Sequence, residues 1–172
     1  MSLLPSDTPL RACPQWSTMQ WLSLAAMTRI DTATKRLAKS RHASRQDLVG
    51  VLVMYCAPEE PTALWGLLDP YLRGNRAAKG KGSHQALMTK LPSPVSLRLD
   101  GLVERAREVG TAYRQDLVGA LAMKAVPAEN RLVELFDAYY AATAGQAALA
   151  GTSPHAVLAR KAPKPGRRAS RR

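Results

Sequence analysis

The hexapeptide Arg45-Gln46-Asp47-Leu48-Val49-Gly50 recurs unchanged as Arg114-Gln115-Asp116-Leu117-Val118-Gly119, an offset of 69 residues. A chain that carries one segment twice is expected to fold as two copies of one unit. The same offset pairs Arg29 with Arg98, Asp31 with Asp100, Arg36 with Arg105, Leu52 with Leu121, Met54 with Met123 and Pro58 with Pro127. After Glu60 one residue is lost, and Leu64, Leu67, Asp69 and Tyr71 then meet Leu132, Leu135, Asp137 and Tyr139. Units of about 45 residues rarely bury a core alone, so the two copies are expected to pack on each other as one pseudo-symmetric domain. The expected organisation is a flexible leader over 1–20, a first unit over 21–72, a basic linker over 73–94 expected to be disordered, a second unit over 95–145 and a basic disordered tail over 146–172.

Each unit is predicted to be one strand followed by three helices. In the second copy, Pro94-Val95-Ser96-Leu97-Arg98-Leu99-Asp100 alternates apolar and polar residues, which predicts a short strand. Asp100 then caps a helix lined by Leu102, Val103, Ala106 and Val109 and closed by Gly110. A second helix carries Leu117, Val118, Leu121 and Ala122 and stops at Pro127; a third, over 128–142, presents Leu132, Leu135, Phe136 and Tyr139. In the first copy, alignment makes Met27-Thr28-Arg29-Ile30-Asp31 the strand, lengthened upstream by Trp21-Leu22-Ser23-Leu24. An alternative stands beside it. Leu24 to Lys39 holds no Gly or Pro, and Ala26, Ile30, Ala33 and Leu37 fit one continuous helix, in which case the ribbon is expected to be lost and a helical protein-interaction module becomes the favoured reading. The expected fold class is thus mainly α with a short two-stranded β-ribbon, as two β-α-α-α repeats packed into an intramolecular pseudo-dimer.

Composition narrows the chemistry. Hydrophobic residues make up 46% of 172, but aromatics only 5%, with a single Phe, which disfavours a large all-β protein. Cys13 and Cys56 with three His, and no CxxC or HExxH spacing, supply neither a disulfide framework nor a zinc site. No catalytic residue, metal or cofactor is expected. Tyr71, Tyr139, Tyr140, Trp65 and Phe136 stand at helical spacing and are expected in the core, and Cys56 on an apolar face as a small hydrophobe. No stretch approaches the roughly 18 apolar residues of a membrane span, and the start lacks a signal-like apolar run, so a cytoplasmic, nucleoid-associated protein with no membrane partner is expected.

The net charge of +12 makes a polyanion the first expected partner. Arg73, Arg76, Lys79, Lys81 and Lys90 in the linker, and Arg160, Lys161, Lys164, Arg167, Arg168, Arg171 and Arg172 in the tail, together equal that net charge. Such segments bind phosphate backbones without reading sequence; a basic tail that only keeps the chain soluble is the plainer alternative.

The stretch from Val95 to Leu121, with its alternating strand, Gly-closed helix and following Arg-Gln-Asp-Leu-Val helix, resembles the ribbon-helix-helix (MetJ/Arc-like) family. The Arg-Gln-Asp-Leu-Val segment followed by Ala-Pro-Glu-Glu is also similar to small actinobacterial proteins. The first resemblance implies double-stranded DNA as partner, with two strands paired into a ribbon that enters the major groove, and pseudo-dimers that associate on DNA. It places Met27, Arg29, Ser96 and Arg98 on base edges, and Ser44, Arg45, Tyr113 and Arg114 on phosphates at the start of each second helix. Lys79, Lys81, Lys161, Lys164, Arg167, Arg168, Arg171 and Arg172 would add nonspecific affinity. A solvated strand face is the plainer account of Arg29 and Arg98, and an ion pair with Asp47 or Asp116 that of Arg45 and Arg114. The use implied is a transcriptional repressor. Plasmid partition, a relaxosome accessory or nucleoid-associated binding are alternatives, as is a helical protein-interaction module or antitoxin.

Overall fold

A computed structural model describes residues 14–77 and 83–144. In chain order these form β1 (Gln15–Ser23), α1 (Leu24–Ala38), α2 (Arg45–Val51) continued by a π-helical turn (Leu52–Cys56), α3 (Pro61–Ala77), β2 (His84–Pro92), α4 (Ser93–Arg107), α5 (Arg114–Lys124) and α6 (Glu129–Ala144). The fold is therefore mainly helical with a two-stranded antiparallel sheet, β1 against β2. The starts of β1, α1 and α2 recur 69 residues on as β2, α4 and α5, and α3 recurs 68 residues on as α6.

The strands are not where the sequence pattern puts them. Met27 to Asp31 lies inside α1 and Val95 to Asp100 inside α4, and the sheet comes from the segments immediately upstream. Leu24 to Ala38 is one continuous helix, yet a ribbon persists, because Gln15–Ser23 supplies its strand. The physical reason is local. Ser23 caps α1 by accepting from the Ala26 N–H at 3.3 Å, and Pro94 occupies the first turn of α4, where its missing N–H costs nothing. From those starts Ala26, Met27, Ile30, Ala33 and Leu37 line one buried stripe, and Val95, Leu99, Leu102, Val103 and Ala106 the other. The alternation over Val95 to Leu99 is the beginning of that helical stripe, and Leu97 points out at 58% exposure. β1 begins inside the segment expected as a flexible leader and β2 occupies the C-terminal half of the one expected as a disordered linker, the two being ordered by pairing with each other, and α3 runs into the linker's start.

Contacts are exchanged between the two repeats. α3 packs on α5 and α6 on α2; β1 lies over α5 and β2 over α2. Two glycines of the repeated hexapeptide are among the closest approaches. A Cβ on Gly50 of α2 would overlap the Tyr139 hydroxyl of α6 and lie 2.8 Å from its Cε2, while one on Gly119 of α5 would overlap the Tyr71 hydroxyl of α3 and lie 2.7 Å from its Cε1. The hexapeptide ends in glycine for this reason: a tyrosine from the other copy fills the space where a side chain would sit. One continuous core results, running from Leu22, Leu87 and Leu91 under the sheet to Leu68, Leu121 and Phe136. Tyr71, Tyr139 and Phe136 are buried in it, and Trp65 and Tyr140 pack against its edge. Cys56 is half-buried, and burial pushes its thiol pKa up.

Candidate functional site: the outer face of the ribbon

In the antiparallel register Ser17 faces Lys90, Met19 faces Met88 and Trp21 faces Ala86, so these six side chains share one face of the sheet. That face is uncovered: Met19 is 58%, Met88 66% and Trp21 52% exposed, and Ser17 and Lys90 are exposed as well. The opposite face holds Leu22, Leu87 and Leu91 against the helices, with Gln20 and Thr89 buried beside them. Thr18 and Thr89 meet there hydroxyl to hydroxyl at 3.2 Å. Neither strand contains an Asp or Glu.

Beside β1 a cleft of about 510 Å³ opens toward the start of α5, lined among others by Met19, Gln20, Arg107, Tyr113 and Arg114. Gln20 is 2% exposed, and both its amide atoms lack a hydrogen-bond partner among the described residues. The starts of α2 and α5 are alike. Asp47 accepts from the Ser44 N–H at 2.9 Å, and Asp116 accepts from the Tyr113 N–H at 3.0 Å.

The residues expected to read bases are not on the ribbon. Met27 and Ser96, each 1% exposed, are core residues of α1 and α4. Arg29 is exposed on α1, and Arg98 donates to the Val53 carbonyl at 3.0 Å and to Glu59 at 2.9 Å, tying α4 to the π-helical turn. A helix start replaced the expected strand in both copies, and it carried these side chains off the sheet. Of the expected phosphate contacts, Arg45 holds Asp31 in a two-pronged pair at 2.6 and 3.0 Å, and Arg114 holds Asp100 in the same way. The partners are these α1 and α4 aspartates, whereas Asp47 and Asp116 serve the caps. Ser44 caps α2, and Tyr113 is 55% exposed with the Arg107 guanidinium 5.8 Å from its ring centre. Lys79, Lys81, Lys161, Lys164, Arg167, Arg168, Arg171 and Arg172 lie outside the described residues.

Sequence reasoning missed Ser17, Met19, Trp21, Ala86, Met88 and Lys90 as a group. A weak signal for them exists: Met19 matches Met88, and Leu22 matches Leu91, at the same 69-residue offset.

Ion pairs between the repeats surround this framework. Arg41 donates to both oxygens of Asp137 at 2.6 and 2.8 Å, which holds the Asp137 carboxyl below its usual range. The hydrogen bond from Arg98 does the same for Glu59, helped by the charge of Arg105. A carboxyl whose pKa is depressed on folding contributes stability above its unfolded pKa and loses it as pH falls through the folded one. The melting temperature should therefore hold from pH 7 to about 5 and fall below about pH 4. Arg41→Ala should flatten that fall; an unaltered acid limb would show that the Arg41–Asp137 pair does not couple to folding.

Among the described residues no group of His, Cys, Asp and Glu could hold a metal, and no helix is long and apolar enough to cross a membrane. Compared with known proteins, the chain matches no family model, no curated protein and no solved structure.

Proposed function

We propose that this chain binds double-stranded DNA as two ribbon-helix-helix-like units in one polypeptide, an intramolecular pseudo-dimer that lays the β1–β2 ribbon in the major groove. The observation that carries it is the ribbon itself: two strands at the 69-residue repeat offset pair antiparallel, and their common outer face is uncovered and free of acids. A two-stranded ribbon fits a groove about 12 Å wide, where base pairs are distinguishable. The base-facing residues become Ser17, Met19, Trp21, Ala86, Met88 and Lys90. Because Arg45 and Arg114 are engaged with aspartates, phosphate affinity falls mainly to the basic segments, Lys79 and Lys81 between α3 and β2 and the tail from Arg160. Transcriptional repression is the use we assign to such a protein.

The apolar middle of the ribbon favours one second reading, a protein-interaction module that docks a partner on Met19, Trp21 and Met88. Selection from a randomised duplex pool at about 150 mM salt separates the two, since background charge binding is suppressed there. DNA reading expects an enriched motif. It also expects Met19→Asp with Met88→Asp to weaken binding to that motif about 100-fold, because carboxylates would then face base edges and phosphates. Both positions are exposed, so the variant should melt close to the parent. Retention without enrichment, or full affinity in the double variant, would refute base reading.

A further inference from the structure

The ribbon's two halves are chemically unequal. At the repeat offset Ser17, Met19 and Trp21 correspond to Ala86, Met88 and Lys90, and Met19↔Met88 is the pairing in which a residue faces its own counterpart. A two-fold relating the strands therefore runs through the methionine pair. On one side of it Ser17 stands across from Lys90; on the other Trp21 stands across from Ala86.

These halves offer a groove different things. Ser17 and Lys90 supply a hydroxyl and an ammonium, and Lys90 has no ion pair among the described residues, so this half can address the O6 and N7 acceptors of guanine. Met19, Met88, Trp21 and Ala86 supply apolar surface, with the indole N–H the single side-chain donor. The apolar feature of the major groove is the C5 methyl of thymine. Resting on the DNA reading above, we infer that the ribbon selects a non-palindromic duplex, thymine-rich beneath the methionine pair and the Trp21–Ala86 half and guanine-bearing beneath the Ser17–Lys90 half. The chain then sits on its site in one orientation, which two identical subunits do not impose. Charge complementarity selects a duplex as the occupant of this apolar face: no carboxylate lies on either strand, Lys90 lies at its edge, and the whole chain carries +12.

The test uses the full chain and the duplex pool, followed by synthetic duplexes of the selected motif. The expected motif lacks two-fold symmetry. Replacing its thymines by deoxyuridine should weaken binding about fourfold for each methyl contacted, from about 0.8 kcal/mol per buried CH₂-sized group, and only in the apolar half and centre. Trp21→Lys with Ala86→Ser gives both halves the Ser/Lys pair and should turn the selected motif palindromic; Ser17→Ala with Lys90→Trp makes both halves apolar and should do so with thymines in each. These positions lie on the outer face, and a thermal melt confirms folding of whichever variant is read. A palindromic motif from the parent chain would overturn the inference and leave DNA reading standing. An asymmetric motif indifferent to deoxyuridine would overturn the thymine assignment. No motif at all would overturn the DNA reading beneath it and leave the ribbon to a protein partner.

Discussion

Gly50→Ala and Gly119→Ala should each destabilise the fold by about 2–3 kcal/mol, the scale of overpacking in a filled core. The sign is what makes the expectation sharp. Alanine in place of glycine inside a helix ordinarily stabilises by up to about 1 kcal/mol, because it restricts the unfolded chain and favours helix. Gly66 in α3 and Gly101 in α4 are the internal controls: nothing lies within 4 Å of a Cβ built at either, so Gly66→Ala and Gly101→Ala should follow the ordinary rule. At Gly50 the new methyl would collide with the ring and hydroxyl of Tyr139, and at Gly119 with those of Tyr71. Both tyrosines are held in the core at 2% and 7% exposure and cannot swing away cheaply. Urea unfolding of the four variants checks the signs. Tyr139→Leu should cost stability alone and yet recover part of the loss when combined with Gly50→Ala, a coupling that a double-mutant cycle measures. If Gly50→Ala behaves like Gly66→Ala, the close approach of α6 to α2 is wrong.

The same contact explains how much of the fold the sequence discloses. Six identical residues recur because they do the same work twice. Arg45 and Arg114 clamp Asp31 and Asp100, Asp47 and Asp116 cap the helix, Leu48 and Leu117 fill the core, and Gly50 and Gly119 admit a tyrosine from the other repeat. Three-dimensional constraint on nearly every position of the segment keeps the copies alike, and a one-dimensional comparison finds it. The three helices of each unit follow from their apolar stripes and stop signals, Pro58 and Pro127 among them.

The strands were hidden because their pattern is inverted. Sequence patterns locate a half-buried strand by polar residues facing out and apolar ones facing in. β1 and β2 bury Gln20 and Thr89 and turn Met19, Trp21 and Met88 outward, so the alternation is blurred on both faces. A five-residue alternation in Val95 to Leu99 then looked more strand-like than the strand itself, although it opens a helical stripe. The candidate site was lost along with the strand, since every base-facing assignment moved one segment upstream with it. A rule broken on an exposed face is a place to expect function, because packing does not demand Met and Trp there.

Removal of residues 160–172 should have the largest effect on nonspecific binding, and leave specificity nearly intact. The deletion takes seven bases and no acids, dropping the net charge from +12 to +5. If each base releases about 0.9 of a counterion from duplex DNA, the slope of log affinity against log salt shallows by up to about 6. Over a fourfold rise in salt, from about 50 to 200 mM, that corresponds to a difference of up to about 4,000-fold in the affinity the two chains lose. The loss should be equal on the selected duplex and on an unrelated one, so their affinity ratio stays constant while both curves flatten. Ribbon substitutions should do the reverse: Met19→Asp with Met88→Asp collapses the ratio between the two duplexes. Titrations of both variants on both duplexes across this salt range separate the effects, because counterion release carries no sequence information and base contact does. Parallel salt slopes for the full and shortened chains would remove the tail from DNA binding and leave the rest of the chain, whose eighteen bases face thirteen acids, to supply the attraction.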